Sequence, residues 1–192
     1  MTILIIGGAA SGKSAYAENL LLRSSGTAPR IYIAAMEPYG AEAAARIAKH
    51  RQARAGKGFQ TMERCRNLAA LSIPPGSAVL LEDLGNLCAN ELYSPAQNGA
   101  GVEITDPRIA EETILQGIGH LRKQCRDLAI VSNDVFSGGS AYQGDTDRYL
   151  RLLGRLHRRI AEQADGVCEV VCGIPVYYKR AEPCRIRGEQ LF

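Results

Sequence analysis

Short apolar runs alternate along the chain with longer segments in which apolar residues recur every three or four positions. The runs are rich in β-branched residues and predict buried strands over Thr2–Ile6, Arg30–Ala35, Ser77–Asp83 and Asp127–Asp134. The periodic segments predict helices over about Lys13–Arg23, Ala41–Ala55, Glu63–Ala70, Ile109–Arg122 and Thr146–Ala164. Because strands alternate with helices, we expect an α/β fold, with a mostly parallel central sheet covered by helices on both faces.

The segments between these elements are polar and rich in glycine. Residues 90–107 predict a long loop, and loops of that length in a compact domain are usually functional. Residues 166–179 predict a hairpin with its turn at Gly173 and Pro175, which adds an antiparallel edge strand near the carboxyl terminus. We expect a single nucleotide-binding domain over residues 1–192, a length sufficient for one substantial core.

The first predicted strand leads directly into the stretch GGAASGKS, which matches the pattern G-x-x-x-x-G-K-[ST]. Glycines let the backbone turn back so that its N–H groups point at an anion, and the dipole of the following helix attracts negative charge. The lysine is expected to reach the β- and γ-phosphates of a nucleotide, and the serine to ligate Mg²⁺. The predicted phosphate-binding residues are Gly7, Gly8, Ala9, Ala10, Ser11, Gly12, Lys13 and Ser14.

The third predicted strand ends in two acids, Glu82 and Asp83. The carboxyl end of a buried strand lies near the phosphate loop in this class of fold, where either acid would order Mg²⁺. An ordinary polar strand end remains the alternative at this point.

A histidine lies on a basic face of the second predicted helix. Arg46, His50 and Arg54 are spaced by four residues, so they share one helix face. Neighbouring cations disfavour the charged imidazole, and a neutral imidazole is a nucleophile whose arginine neighbours would hold phosphate oxygens. The alternative is a solvated basic face with an incidental histidine. His120 and His157 are predicted to be surface residues.

Composition adds only broad limits. The net charge of +3 does not predict nucleic-acid binding, and no segment is long and apolar enough to predict a membrane span. The first residues lack a signal-peptide pattern, so we expect a cytoplasmic protein. The six scattered cysteines are expected to be small buried thiols rather than metal ligands.

Several of these segments together resemble one known family, the adenosylcobinamide kinase/adenosylcobinamide-phosphate guanylyltransferases of cobalamin assembly. GGAASGKS resembles its phosphate loop, ARIAKHRQAR its RIxxHRxxR stretch with the guanylylated histidine, VLLED its strand ending in an acid, and IVSND its SNEVG turn. The resemblance runs from Thr2 to Lys179 in the same order. It implies a RecA-like P-loop NTPase fold, His50 and Lys13 as catalytic residues, and Ser14 and Glu82 as metal ligands. Further nucleotide-binding residues that it implies are Ala34, Ala35, Met36, Arg51, Gln52, Ala53, Arg54, Glu63 and Glu82.

The resemblance also implies two reactions. A nucleoside triphosphate, GTP or ATP, phosphorylates the hydroxyl of adenosylcobinamide, and GTP then donates GMP to that phosphate through a guanylyl-histidine. It further implies Mg²⁺ and a homotrimer. The chain departs from the family pattern at Ala10, where arginine is usual, at Arg151, at His157, where asparagine is usual, and after Asn133. A P-loop kinase with another hydroxyl substrate and a nucleotide-binding module without turnover are the alternative functions.

Overall fold

The computed structural model describes residues 1–37, 52, 55–95, 101–136 and 142–180. A seven-stranded sheet runs through these residues in the order β3-β2-β4-β7-β1-β8-β9, and β5 and β6 form a separate antiparallel pair. Six strands of the large sheet are parallel, and β9 is an antiparallel edge strand, as predicted. The strands are β1 (Thr2–Gly7), β2 (Arg30–Ala34), β3 (Phe59–Glu63), β4 (Ala78–Glu82), β5 (Tyr93–Pro95), β6 (Val102–Ile104), β7 (Asp127–Asn133), β8 (Gly166–Val171) and β9 (Ile174–Lys179).

Described helices cover both faces of the large sheet, which confirms the predicted layers. They are α1 (Lys13–Ser25), α2 (Leu84–Leu92), α3 (Pro107–Gln124) and α4 (Asp145–Gln163). Successive side chains of a strand point to opposite faces, so Ile3 and Ile5 pack with α1 while Leu4 packs with the other three helices. Each layer therefore buries its own apolar cluster against the shared sheet.

Helix α2 was not predicted from the sequence. It begins immediately after β4, where the Asp83 side chain accepts a hydrogen bond from the backbone N–H of Asn86 at 2.6 Å and caps the helix. Leu84, Leu87 and Cys88 are fully buried along its inner face. The sequence therefore contains two indications of this helix, a capping residue and apolar residues at helical spacing. They occur in a segment of only nine residues, which is short for recognition from sequence.

The helix predicted over Glu63–Ala70 is wrong. Phe59–Glu63 is strand β3, which pairs in parallel with β2, and only Leu68–Ala70 forms a short 3₁₀ helix. Strand β3 was not predicted, and its pairing with β2 holds Glu63 in an extended conformation at the position where the predicted helix was to begin. The predicted long loop likewise contains the end of α2 and the β5–β6 pair.

Other details differ from the sequence predictions at the ends of elements. Asp145 is the first residue of α4 rather than its cap, because Gly144 occupies the capping position. Pro175 lies within β9 opposite Val170, where an edge strand tolerates proline, and not in the turn. Cys88 and Cys168 are buried as expected, whereas Cys172 is exposed. No described helix has the length and apolar character needed to cross a membrane.

Candidate functional site

The phosphate loop joins β1 to α1 and has the local geometry that its glycines permit. A Cβ atom at Gly7 would lie 2.5 Å from Ser11 Oγ and 2.8 Å from the carbonyl oxygen of Val170, so only glycine fits there. Gly12 has a φ of 92° at the start of α1, a conformation that glycine adopts without strain. Ala10 is also left-handed, with a φ of 56°. The sequence motif thus folds into a tight turn that ends at a helix N-terminus, where backbone N–H groups remain to bind an anion.

Lys13 is the first residue of α1, and its side chain is 8% exposed. Its ammonium donates a hydrogen bond to the Gly8 carbonyl oxygen at 3.0 Å, which folds the side chain back over the loop. Burial lowers the pKa of Lys13, and the negative charges of Glu82 and Asp83 oppose that shift. A cation is therefore held at the centre of the loop with two acids beside it.

Ser14 and Glu82 come together although 68 residues separate them. The Ser14 hydroxyl donates a hydrogen bond to Glu82 Oε1, and Glu82 is 8% exposed at the carboxyl end of β4. A hydroxyl and a carboxylate are the oxygen donors that Mg²⁺ takes beside nucleotide phosphates, usually with one or two carboxylates and several waters. No group of three or more His, Cys, Asp or Glu side chains that would form an all-protein metal site occurs in the described ranges. These two residues therefore fit a Mg²⁺ ion that the nucleotide helps to bind.

Sheet register brings further predicted residues to the same edge. Ala34, the last residue of β2, is paired with Glu63 on one side and Glu82 on the other. The Ala35 backbone N–H donates a hydrogen bond to the Glu82 carbonyl oxygen at 3.0 Å. Met36 follows directly and is half-buried, whereas Glu63 is exposed. The carboxyl ends of β2, β3 and β4 thus form one continuous border beside Glu82.

Asp83 and Asn133 form a contact that the sequence analysis did not identify. Asn133 Nδ2 donates a hydrogen bond to Asp83 Oδ2 at 3.1 Å, and Asn133 is paired in register with Gly7. Burial raises the pKa of Asp83, while the Asn86 N–H and Lys13 oppose that shift. Both residues lie at the carboxyl ends of predicted strands, which was the available signal. The contact ties the start of α2 to the strand beside the phosphate loop.

His50, Arg51, Ala53 and Arg54 lie outside the described residues, and the helix predicted over 41–55 is described only at Gln52, which is helical and exposed, and at Ala55. The structure therefore leaves the arrangement of the basic face a prediction.

The other two histidines are partly buried rather than exposed, which corrects the prediction of a surface position for both. The His157 ring lies 2.7 Å from the hydroxyl of the buried Ser132 and makes an edge-to-face contact with Phe136. Burial lowers the pKa of His157 to about 4, and Asp134 opposes that shift. The His120 ring lies 3.0 Å from the Leu71 carbonyl oxygen. The His157 ring therefore lies where its charged form is disfavoured. The His120 ring lies beside a backbone carbonyl oxygen that it can satisfy.

Comparison with known proteins gives consistent matches over nearly the whole chain. The profile of the family CobU, cobinamide kinase / cobinamide phosphate guanyltransferase, matches residues 3–178. The bifunctional adenosylcobalamin biosynthesis protein CobU of Escherichia coli is 33% identical over 186 residues, which cover 93% of this chain and 100% of that protein. CobU of Salmonella typhimurium is 33% identical over 187 residues with the same coverage. Among solved structures, the ATPase domain of G40P superposes with a TM-score of 0.52 at 10% identity, covering 94% of this chain and 77% of that one, and supports the fold.

Proposed function

Because the chain belongs to the cobinamide kinase / cobinamide phosphate guanyltransferase family, we propose that it phosphorylates adenosylcobinamide and then converts the product to adenosylcobinamide-GDP. The observation that carries this proposal is the phosphate loop, in which Lys13 is buried beside Glu82 and Asp83, in a chain matched by the family profile from residue 3 to 178. The fold supplies a nucleotide site, and the family relationship supplies the reactions and the acceptor.

In the first reaction, the acceptor hydroxyl attacks the γ-phosphorus of ATP or GTP, and the bond to the β-phosphate oxygen breaks. The loop N–H groups and Lys13 bind the phosphate oxygens on which negative charge develops. Ser14 and Glu82 would hold Mg²⁺, which neutralises phosphate charge when bound. Lys13 already points over the loop through its bond to Gly8, so little reorientation is needed when the nucleotide binds.

In the second reaction, a His50 ring nitrogen attacks the α-phosphorus of GTP, and pyrophosphate leaves. The phosphate oxygen of the corrinoid then attacks the same phosphorus, so the phosphorus–nitrogen bond breaks and GMP is transferred. Arg51 and Arg54 bind the phosphate oxygens, and Gln52 and Ala53 complete this part of the nucleotide site. Ala34, Ala35, Met36 and Glu63 border the nucleotide at the sheet edge, where the register aligns Ala34 with Glu63.

The proposal includes a homotrimer in the cytoplasm. Exposed apolar side chains on the edge strand β9 support association, since Ile174 is 65% and Tyr178 69% exposed. Analytical ultracentrifugation tests this part, and a monomer at micromolar concentration would contradict it.

The test of the activity is direct. Cobinamide is incubated with Mg²⁺ and ATP or GTP labelled at the γ-phosphate, and label in the corrinoid is measured. We expect label in the corrinoid from the wild type and the His50→Ala variant, and about a hundredfold less from Lys13→Ala. Label in another hydroxyl compound but not in cobinamide would favour a kinase with a different substrate. Nucleotide binding without turnover would favour a binding module.

A further inference from the structure

A groove of about 240 Å³ opens between α2 and the first turns of α4. Its walls come from segments that are more than fifty residues apart in the chain. The lining residues are Ala89, Tyr93, Asp145, Thr146 and Tyr149. Helix α2 follows the carboxyl edge of the sheet here, because Asn90 Nδ2 donates hydrogen bonds to the carbonyl oxygens of Ala35 at 2.8 Å and Cys65 at 3.2 Å. The groove therefore lies at the same edge as the phosphate loop.

The two tyrosines of the groove have different roles in the fold. Tyr93 Oη donates a hydrogen bond to the Asp145 carbonyl oxygen at 2.6 Å and so joins α2 to α4. Tyr149 is half-buried. Its hydroxyl forms no hydrogen bond with any residue that the structure describes. Its hydroxyl stays protonated at neutral pH, because burial raises its pKa. Tyr149 thus offers a hydrogen-bond donor inside a largely apolar groove.

Gly85 connects this groove to the phosphate site. A Cβ atom at Gly85 would lie 2.9 Å from Tyr149 Oη and 3.3 Å from Asp83 Oδ1, so the tyrosine hydroxyl and the carboxylate both pack closely against this glycine. Asp83 is close enough to Lys13 for their charges to interact. Tyr149 therefore extends from the groove to Gly85 and to the acid beside the phosphate-binding lysine.

Exposed apolar side chains occur next to the groove. Ile104 is 45% exposed and is paired in register with Tyr93, and Tyr142 is 47% exposed three residues before Asp145. A corrin macrocycle is too large for a groove of this volume, but a flexible arm that ends in a hydroxyl is not. The apolar surface outside suits the macrocycle, and the groove itself suits the arm.

We propose that this groove binds the hydroxyl-bearing arm of the corrinoid acceptor, that Tyr149 positions the arm, and that Gly85, which has no side chain, lets the Tyr149 hydroxyl lie beside Asp83 at the phosphate site. This inference rests on the proposed function, because that function supplies the acceptor. It makes Gly85 and Tyr149 determinants of acceptor binding rather than of nucleotide binding.

The test compares two glycine variants in kinase assays with cobinamide. In Gly85→Ala, the added methyl group displaces the Tyr149 hydroxyl, and we expect the KM for cobinamide to rise about tenfold or more. The KM for the nucleotide should not change. Gly119→Ala is the matched control, because Gly119 is also a helical glycine and a Cβ atom there meets nothing within 4 Å. The control should keep both KM values.

A second variant guards against a local change of fold in Gly85→Ala. Ala89→Leu narrows the groove directly, because Ala89 lines it, and should also raise the KM for cobinamide, with nucleotide-induced thermal stabilisation preserved. An unchanged KM for cobinamide in both variants would overturn the groove assignment while the activity stands. Failure of the wild type to phosphorylate cobinamide at all would overturn the proposed function and the groove assignment with it.

Discussion

Replacing Lys13 with alanine removes the one cation that the structure places over the phosphate loop among its described residues. The backbone turn does not depend on this side chain, since Gly12 provides its left-handed residue and the Tyr16 N–H still bonds to the Gly12 carbonyl oxygen. The variant therefore separates the charge of the site from its shape.

The expected loss can be worked out from the ammonium–phosphate contact. A hydrogen bond to a charged group contributes about 1.5–3 kcal/mol, so Kd for the nucleotide should rise roughly 10- to 100-fold. A ligand at a hundred times its Kd stabilises the wild type by about 2.7 kcal/mol, or roughly 5–11 °C in Tm for a domain of this size. At the same concentration the variant should gain only about 0.4–1.4 kcal/mol, which is half of the wild-type shift or less. Kinase turnover should fall about a hundredfold or more.

The assay is thermal unfolding with β,γ-imido GTP in a His50→Ala background, where neither group transfer interferes. Each shift is taken against the same variant without nucleotide, so changes in intrinsic stability cancel. Lys123→Ala is the matched control, because Lys123 is exposed in the last turn of α3, and it should keep the full shift. An undiminished shift in Lys13→Ala would refute the placement of the nucleotide on this loop.

Three further predictions concern stability and metal dependence. Gly117→Ala should lower the free energy of unfolding, measured in urea, by about 1–3 kcal/mol, because the new Cβ would lie 2.6 Å from Leu68 Cβ. Gly119→Ala in the same helix should be neutral or slightly stabilising. Equal stability of the two variants would contradict this packing. His157 has a pKa of about 4 in the folded protein, below the value of about 6.5 when unfolded, so the unfolded chain takes up the proton first as the pH falls. Relative to His157→Asn, the wild type should therefore lose about 2–3 kcal/mol between pH 7 and pH 4.5, and parallel stability curves would argue against a buried neutral ring. Glu82→Gln should raise the Mg²⁺ concentration for half-maximal turnover roughly ten- to a hundredfold, and an unaltered Mg²⁺ titration would exclude Glu82 as a ligand.

The phosphate loop and the parallel sheet were predictable because their signals are local. Eight consecutive residues carry the loop motif, and each buried strand is a continuous apolar run. Glu82 could be assigned to the site for the same reason, since the carboxyl ends of parallel strands meet at one edge. The bond between Ser14 and Glu82 then follows from a sheet order that the fold class implies.

What the sequence could not reveal depends on distant partners. Phe59–Glu63 forms a strand by pairing with β2, and the His157 ring is partly buried in contact with Ser132 and Phe136. The groove combines residues of two helices whose approach is fixed by the bond between Tyr93 and Asp145. None of these pairs has a short-range pattern, so each had to be read from the structure.

The covalent adduct gives the most direct test of the guanylyl transfer that distinguishes this family from simple kinases. The protein is incubated with Mg²⁺ and GTP labelled at the α-phosphate, denatured, and mapped by peptide analysis; a parallel sample is chased with cobinamide phosphate. We predict one GMP on His50, joined through a phosphorus–nitrogen bond that breaks in acid and survives in base. Labelling should be weaker in the Arg54→Ala variant. During the chase, the label should move from the protein to the corrinoid. Label on Lys49, undiminished labelling of His50→Ala, or an adduct that cobinamide phosphate does not discharge would contradict the account.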